Sequence, residues 1–248
     1  MQTTSKLPQI TFYFWVMKIC ATTLGETGGD LVSMTMHVGY ALSSIILLSF
    51  FLVSLVSQML VSAYKPWLYW TVILTTSTAG TTMSDFMDRT LGLGYATGSL
   101  ILVSILLLTF IIWYISERSL SVTSIHSRRA ELFYWISILF SNTLGTALGD
   151  YLADDSGLGF AGGAILIGSI LALIALCYFF TRIPRIVLFW LAFVLTRPFG
   201  ATMGDFLTKP FEKGGMNLGT IGSSAVLAIT LIVFIVIENN RNRKKQLA

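Results

Sequence analysis

Four long apolar runs punctuate the chain: Ser43 to Val61, Ser99 to Ile115, Ala161 to Phe180 and Ser224 to Ile237. Each approaches or reaches the roughly 20 residues that a helix needs to cross a bilayer. Barrel strands would alternate apolar and polar positions. These runs do not, so the pattern predicts helical spans.

Each run follows a mixed segment that ends in an aspartate: FYFWVMKICATTLGETGGD at Asp30, LYWTVILTTSTAGTTMSD at Asp85, FYWISILFSNTLGTALGD at Asp150 and LFWLAFVLTRPFGATMGD at Asp205. In every copy a tryptophan lies 15 positions before the aspartate (Trp15, Trp70, Trp135, Trp190) and a glycine five before it (Gly25, Gly80, Gly145, Gly200). A small residue precedes the aspartate directly: Gly29, Ser84, Gly149 and Gly204. A glycine nine residues on opens the next apolar run in three copies (Gly39, Gly94, Gly159). In the fourth, Gly214 has that spacing, but Leu218-Gly219 fits the pattern better if KPFEK is an insertion.

Four tandem copies at fixed spacing are the mark of a repeat architecture. Each copy reads as a hairpin of two spans. The predicted fold is therefore an all-α membrane protein with eight transmembrane helices in one transmembrane domain, residues 1–248. The repeats fall at about 8–63, 64–117, 130–181 and 184–238, with a basic linker at 117–130 that contains His126 and a basic tail at 239–248. Two spans return the chain to its starting side, so the four hairpins share one orientation about the membrane normal. The arrangement is then pseudo-four-fold, or a two-fold pair of two-repeat halves.

Composition supports a membrane location. The chain is 54% hydrophobic and 11% charged, with a mean hydropathy of +0.77, where soluble domains carry about 25% charged residues. Charge placement then sets topology, because basic residues mark the cytoplasmic side. Eleven of the 16 Lys and Arg residues lie between the units or at the termini, against Arg89, Lys209 and Lys213 inside the hairpin loops. Both termini are expected to be cytoplasmic and the aspartates to face the outer half of the membrane. The N-terminal segment has no small-residue cleavage signal, so the first span is expected to be retained. The tryptophans are expected at the inner interface, with each aspartate roughly 22 Å further along its helix. The tail RNRKK reads as an anchor for anionic lipid, not as a nucleic-acid arm. Cys20 and Cys177 lie in different apolar segments and read as packing residues.

Ionisable groups inside a span are costly and face a partner, a polar interior or a pathway. Four carboxylates in register hold a cation, share protons or pair with nearby bases. Oxygen ligands suit hard divalent ions, so Asp30, Asp85, Asp150 and Asp205 are the candidate metal ligands, joined by Glu26 one turn before Asp30. Arg197, which stands where the other copies carry Thr22, Ser77 and Asn142, and Lys18 are candidate gate or counter-charge residues. Pro198 is expected to kink its helix. Thr22, Thr81, Thr146 and Thr202, with Gly25, Gly80, Gly145 and Gly200, form a small-residue face for helix packing or a second shell. Helix capping by the aspartates and internal neutralisation of the charges stay open as purely structural alternatives.

The chain lacks a nucleotide-binding loop, a nucleophile–base arrangement and an HExxH motif, which excludes an ATP-driven pump or a protease and predicts no enzyme and no prosthetic group. The repeated Trp…G-x-x-x-[GS]-D units over about residues 8–238 resemble a bacterial membrane-protein family built from a four-fold repeat of unknown function. That resemblance implies the fold and membrane location, and a link to tolerance of manganese and other divalent metals. The fourth unit departs from it in the insertion and in Thr220, where the others carry Tyr40, Tyr95 or Phe160. The expected function is transport of a divalent cation, manganese export first, with proton coupling through the carboxylates. A passive channel, an organic-cation exporter and a non-transporting sensor or scaffold are the alternatives. The lipid bilayer and a small cation are the expected partners, and a homo-oligomer is left open.

Overall fold

The computed structural model describes residues 6–122, 125 and 127–247, with side chains as far as residue 242. His126 and the tail side chains from Arg243 onward lie outside the described residues. The described residues form eight long helices and no strand: α1 (Phe12–Asp30), α2 (Tyr40–Leu60), α3 (Pro66–Asp85), α4 (Tyr95–Glu117), α5 (Arg128–Asp150), α6 (Gly159–Phe180), α7 (Arg185–Thr208) and α8 (Thr220–Leu247).

Ends of these helices follow local chemistry. Thr11 and Ser127 cap α1 and α5 through their side-chain oxygens, which accept from Phe14 N and Ala130 N. Pro66 opens α3, where its missing N–H is not needed. After each of the first three odd-numbered helices the backbone continues into one π-helical segment: Leu31–Thr35, Phe86–Thr90 and Tyr151–Asp155. The fourth repeat has none. There α7 runs on to Thr208, and Phe211–Lys213 forms a 3₁₀ turn. Gly219, with φ of +76°, stands directly before α8 as Gly39 (+82°) and Gly94 (+74°) stand before α2 and α4. It is the fourth copy's counterpart, and the preceding residues are the insertion. α7 continues as a helix through Pro198.

The odd-numbered helices make a closed inner ring: α1 packs on α3, α3 on α5, α5 on α7, and α7 back on α1. The even-numbered helices lie outside it. Their partners are not those that a hairpin would give, because α2 packs chiefly on α3, α4 on α5, α6 on α7 and α8 on α1. Every repeat thus lays its second helix on the first helix of the next repeat. The repeat is a unit of sequence more than of packing.

Four glycines explain the ring. A Cβ at Gly25 would run into Ser77, at Gly80 into Asn142, at Gly145 into Arg197 and at Gly200 into Thr22. The glycine five before each aspartate thus receives the residue eight before the aspartate of the next helix, and the fourth closes on the first. Small residues let helix backbones approach this closely.

Six helices are long and apolar enough to cross a membrane: α2, α4, α5 with its π segment, α6, α7 and α8. In the outer helices under a third of the apolar window is buried, so their Leu, Ile and Phe side chains face outward. An apolar surface of this extent requires an apolar medium or a partner. α1 and α3 fall short of that apolarity for a physical reason. They face other helices on most sides, and bury Thr22, Thr23, Glu26 and Thr27 or Thr76, Ser77, Thr81 and Thr82 in place of leucine.

The tryptophans have partners within the ring. They lie near the start of each odd-numbered helix, yet Trp70, Trp135 and Trp190 are buried and Trp15 is half-buried. Ring closure turns them inward, where each meets the aromatic residue that precedes its neighbour's tryptophan. The pairs are Phe14–Trp70 at 5.7 Å, Tyr69–Trp135 at 5.6 Å, Tyr134–Trp190 at 6.2 Å and Phe189–Trp15 at 5.8 Å between ring centroids. Such pairs add about 0.5–1.5 kcal/mol each beyond burial. They form a layer across one end of the ring, stitched by a 2.7 Å hydrogen bond between the Tyr69 and Tyr134 hydroxyls. The aspartates lie at the other end.

Candidate functional site

The four aspartates come together as two pairs, each bridged by one cation. Arg89, one turn beyond Asp85 in the π segment, sets Nε 2.9 Å from Asp85 Oδ1 and Nη2 3.0 Å from Asp150 Oδ2. Lys209, one turn beyond Asp205, sets Nζ 3.1 Å from Asp205 Oδ1 and 2.6 Å from Asp30 Oδ2. In both cases the cation comes from an even-numbered repeat and reaches the aspartate of the next repeat round the ring. The equivalent positions in the other two copies are Met34 and Asp154. Met34 Sδ lies 3.9 Å from Lys209 Nζ, and the Tyr95 hydroxyl donates to Asp154 Oδ2 at 3.5 Å.

All four carboxylates are buried, at 3% exposure or less. Lys209 lies past the end of α7. Burial works against its positive charge, but the Asp205 and Asp30 carboxylates outweigh that and raise its pKa above the ordinary lysine value. Among the described residues no three His, Cys, Asp or Glu side chains gather as a metal-ligand set. A cation side chain stands between each pair instead.

One turn deeper the ring is crossed by a second network. Arg197, fully buried, sets Nη1 2.9 Å from Glu26 Oε2. Its Nη2 donates to Thr81 Oγ1 at 2.5 Å, to Thr146 Oγ1 at 2.8 Å and to the Ser77 carbonyl at 3.3 Å. The Thr146 and Thr81 hydroxyls donate to Glu26 Oε2 at 3.0 and 3.3 Å. Residues from α1, α3, α5 and α7 therefore meet around one guanidinium. The geometry follows from the repeat: Glu26, Thr81 and Thr146 are the same repeat position, and Ala201, the fourth, leaves room. A planar fork with several donors suits a site with several acceptors.

The remaining candidates divide. Thr22 Oγ1 bonds the Lys18 carbonyl at 3.0 Å and the Thr196 carbonyl at 3.2 Å, tying α1 to α7. Thr202 bonds only its own helix, at the Pro198 and Phe199 carbonyls, and stays outside the network. Gly25, Gly80, Gly145 and Gly200 set the helix spacing as described above. Lys18 is completely buried between these layers and the aromatic end. Cys20 and Cys177 are free thiols.

Arg89 and Lys209 are the members of this cluster that topology reasoning passes over, since it counts them only as hairpin-loop charges. Their signal was in the sequence: each stands four residues after its aspartate, the spacing at which helical side chains meet.

No curated protein and no solved structure matches the chain. A family model does, at residues 13–64, 68–119, 133–183 and 188–240, one match for each aspartate-bearing unit. The chain belongs to the family of the Repeat of Unknown Function (DUF347), in four tandem copies.

Proposed function

We propose that this protein is a transporter of a divalent cation in a bacterial inner membrane, with manganese export the leading case and proton exchange as the coupling. In this reading all eight helices span the bilayer in pseudo-four-fold order. Both termini are cytoplasmic, and the aspartates lie toward the outer side. α1 and α3 cross because their polar residues face the ring and not lipid.

The observation that carries the reading is the pair of carboxylate–cation–carboxylate bridges. Buried ion pairs are costly to desolvate, and apolar residues often serve stability as well or better. Four buried aspartates held by only two side-chain cations are thus a poor choice for stability alone. They suit a site in which a mobile cation takes the place of a tethered one. Oxygen ligands favour hard divalent ions, and Met34 beside Lys209 adds a softer donor compatible with manganese.

Flux into proteoliposomes tests the reading. Manganese transport by the wild type is expected, with loss in Asp85→Asn/Asp150→Asn and in Asp30→Asn/Asp205→Asn. Unchanged flux in both double variants sinks it.

A second reading, a non-transporting sensor or scaffold, draws on the fact that each aspartate already has a cation partner. It predicts that the Asp→Asn changes act on stability alone, that the wild type moves no manganese, and that divalent ions do not stabilise the purified protein.

A further inference from the structure

Lys18 takes no part in the pairings above. Its side chain is completely buried, and Nζ has no hydrogen-bond partner among the described residues. It lies over the ring of Phe193, 4.0 Å from the centroid. The same repeat position holds Ile73, Ile138 and Phe193 in the other copies, all buried. A lysine therefore replaces the fourth member of an apolar layer, between the aromatic end of the ring and the Arg197 network.

The charged groups around it offer no compensation. α1 packs on α3, α7 and α8. From α7 the charged groups are Arg197, a like charge one turn beyond Phe193, Arg185 at the helix start, also a like charge, and Asp205, three turns beyond Phe193 and held by Lys209. On α1 itself the carboxylates are Glu26, two turns away, whose Oε2 already accepts from Arg197, Thr81 and Thr146, and Asp30, three turns away and held by Lys209. From α3 the side chains near this level are Ile73, Thr76 and Ser77, none charged. The α8 carboxylate, Glu238, accepts from Tyr64 and Trp70. An ammonium buried without an acceptor is costly, and the Phe193 ring face offers attraction but no hydrogen-bond acceptor for its N–H groups.

The α1–α7 seam is also tight, since a Cβ on Gly200 would meet the Thr22 side chain. A bound anion requires a cavity in that seam; a proton requires none. The Lys209 bridge from Asp205 to Asp30 closes the same two helices at the far end. The seam that a cation opens by displacing Lys209 is the seam that buries Lys18.

We propose that Lys18 is the site at which a proton is bound and released in the transport cycle, an amine while α1 and α7 are closed and an ammonium once their separation admits water. The step forms or breaks one N–H bond and nothing else. It rests on the transport reading and assigns the coupling proton to this lysine, not to the carboxylates.

Two measurements test it. Full-length protein is prepared with ¹³Cε-lysine, and the signal lost in Lys18→Met, or in Lys18→Gln if the first variant folds poorly, is assigned to Lys18. At neutral pH that signal is expected at the amine position in the wild type and at the ammonium position in Lys209→Met, where the seam is unlatched. An ammonium position in the closed wild type overturns the proposal. In proteoliposomes, manganese-driven proton movement is expected to vanish in Lys18→Met while manganese still stabilises the purified variant. Proton movement equal to wild type overturns it. A wild type that moves no manganese defeats the transport reading instead, and the lysine signal still decides the state of Lys18.

Discussion

Lys209 of the fourth repeat reaches Asp30 of the first, with Nζ 2.6 Å from Oδ2. That contact closes the ring at the aspartate end, as the Phe189–Trp15 pair closes it at the aromatic end. Its counterpart, Arg89 to Asp150, joins the second repeat to the third. Latches thus occupy alternate seams, α3–α5 and α7–α1, so the four-copy sequence has a two-fold pattern of charge.

Removing Lys209 strands two buried carboxylates. Lys209→Met is expected to lower stability by about 3–5 kcal/mol, the usual effect of breaking one side of a buried pair, read as a fall in thermal midpoint. Divalent ions are then expected to stabilise the variant more than the wild type, because the place of the ammonium is open. A variant as stable as wild type, or one indifferent to divalent ions, contradicts the latch.

Arg89→Lys is expected to be a poor replacement. The guanidinium reaches Asp85 through Nε and Asp150 through Nη2; an ammonium is a single point on a flexible stem. One of the two contacts is lost, and the α3–α5 seam loosens more than a conserved charge implies. Crosslinking yield between cysteines placed across that seam reads the change, and an unchanged yield argues against the fork geometry.

The ring glycines give a steric test. Gly25→Ala places a methyl on Ser77, and overpacking of this kind costs about 1–3 kcal/mol. Gly222→Ala, on α8, meets nothing within 4 Å and is the matched control, expected to be neutral. Equal thermal midpoints for the two variants refute close approach at Gly25.

Much of this was legible in the sequence. The spacing from Trp135 through Gly145 to Asp150 recurs in all four copies, and it is the register that brings the helices together. Other features were not legible, because they depend on which helix becomes whose neighbour. Nothing local to Ser77 says that it fills the notch at Gly25, and nothing in the second apolar run says that it lies on α3 and not α1. The partners of the tryptophans were hidden for the same reason: the spacing gives a Trp its place near a helix end, and only ring closure says which neighbour's aromatic residue it meets. The two cations were overlooked because a charge count treats Arg89 and Lys209 as topology signals, whereas one helical turn ties each to its aspartate.

The Arg197–Glu26 pair separates structure from function most sharply. Glu26→Gln leaves the guanidinium buried with Thr81, Thr146 and the Ser77 carbonyl as neutral acceptors, and Arg197→Met leaves Glu26 with two hydroxyl donors. Each single change removes half of a fully desolvated pair and is expected to cost about 3–5 kcal/mol. The double variant, Glu26→Gln/Arg197→Met, leaves no uncompensated charge, so it is expected to recover most of that loss in thermal midpoint. Should the pair be only structural, recovered stability brings recovered manganese flux. Should it serve transport, the double variant is stable and inactive. Singles that match wild-type stability rule out the network as a structural element.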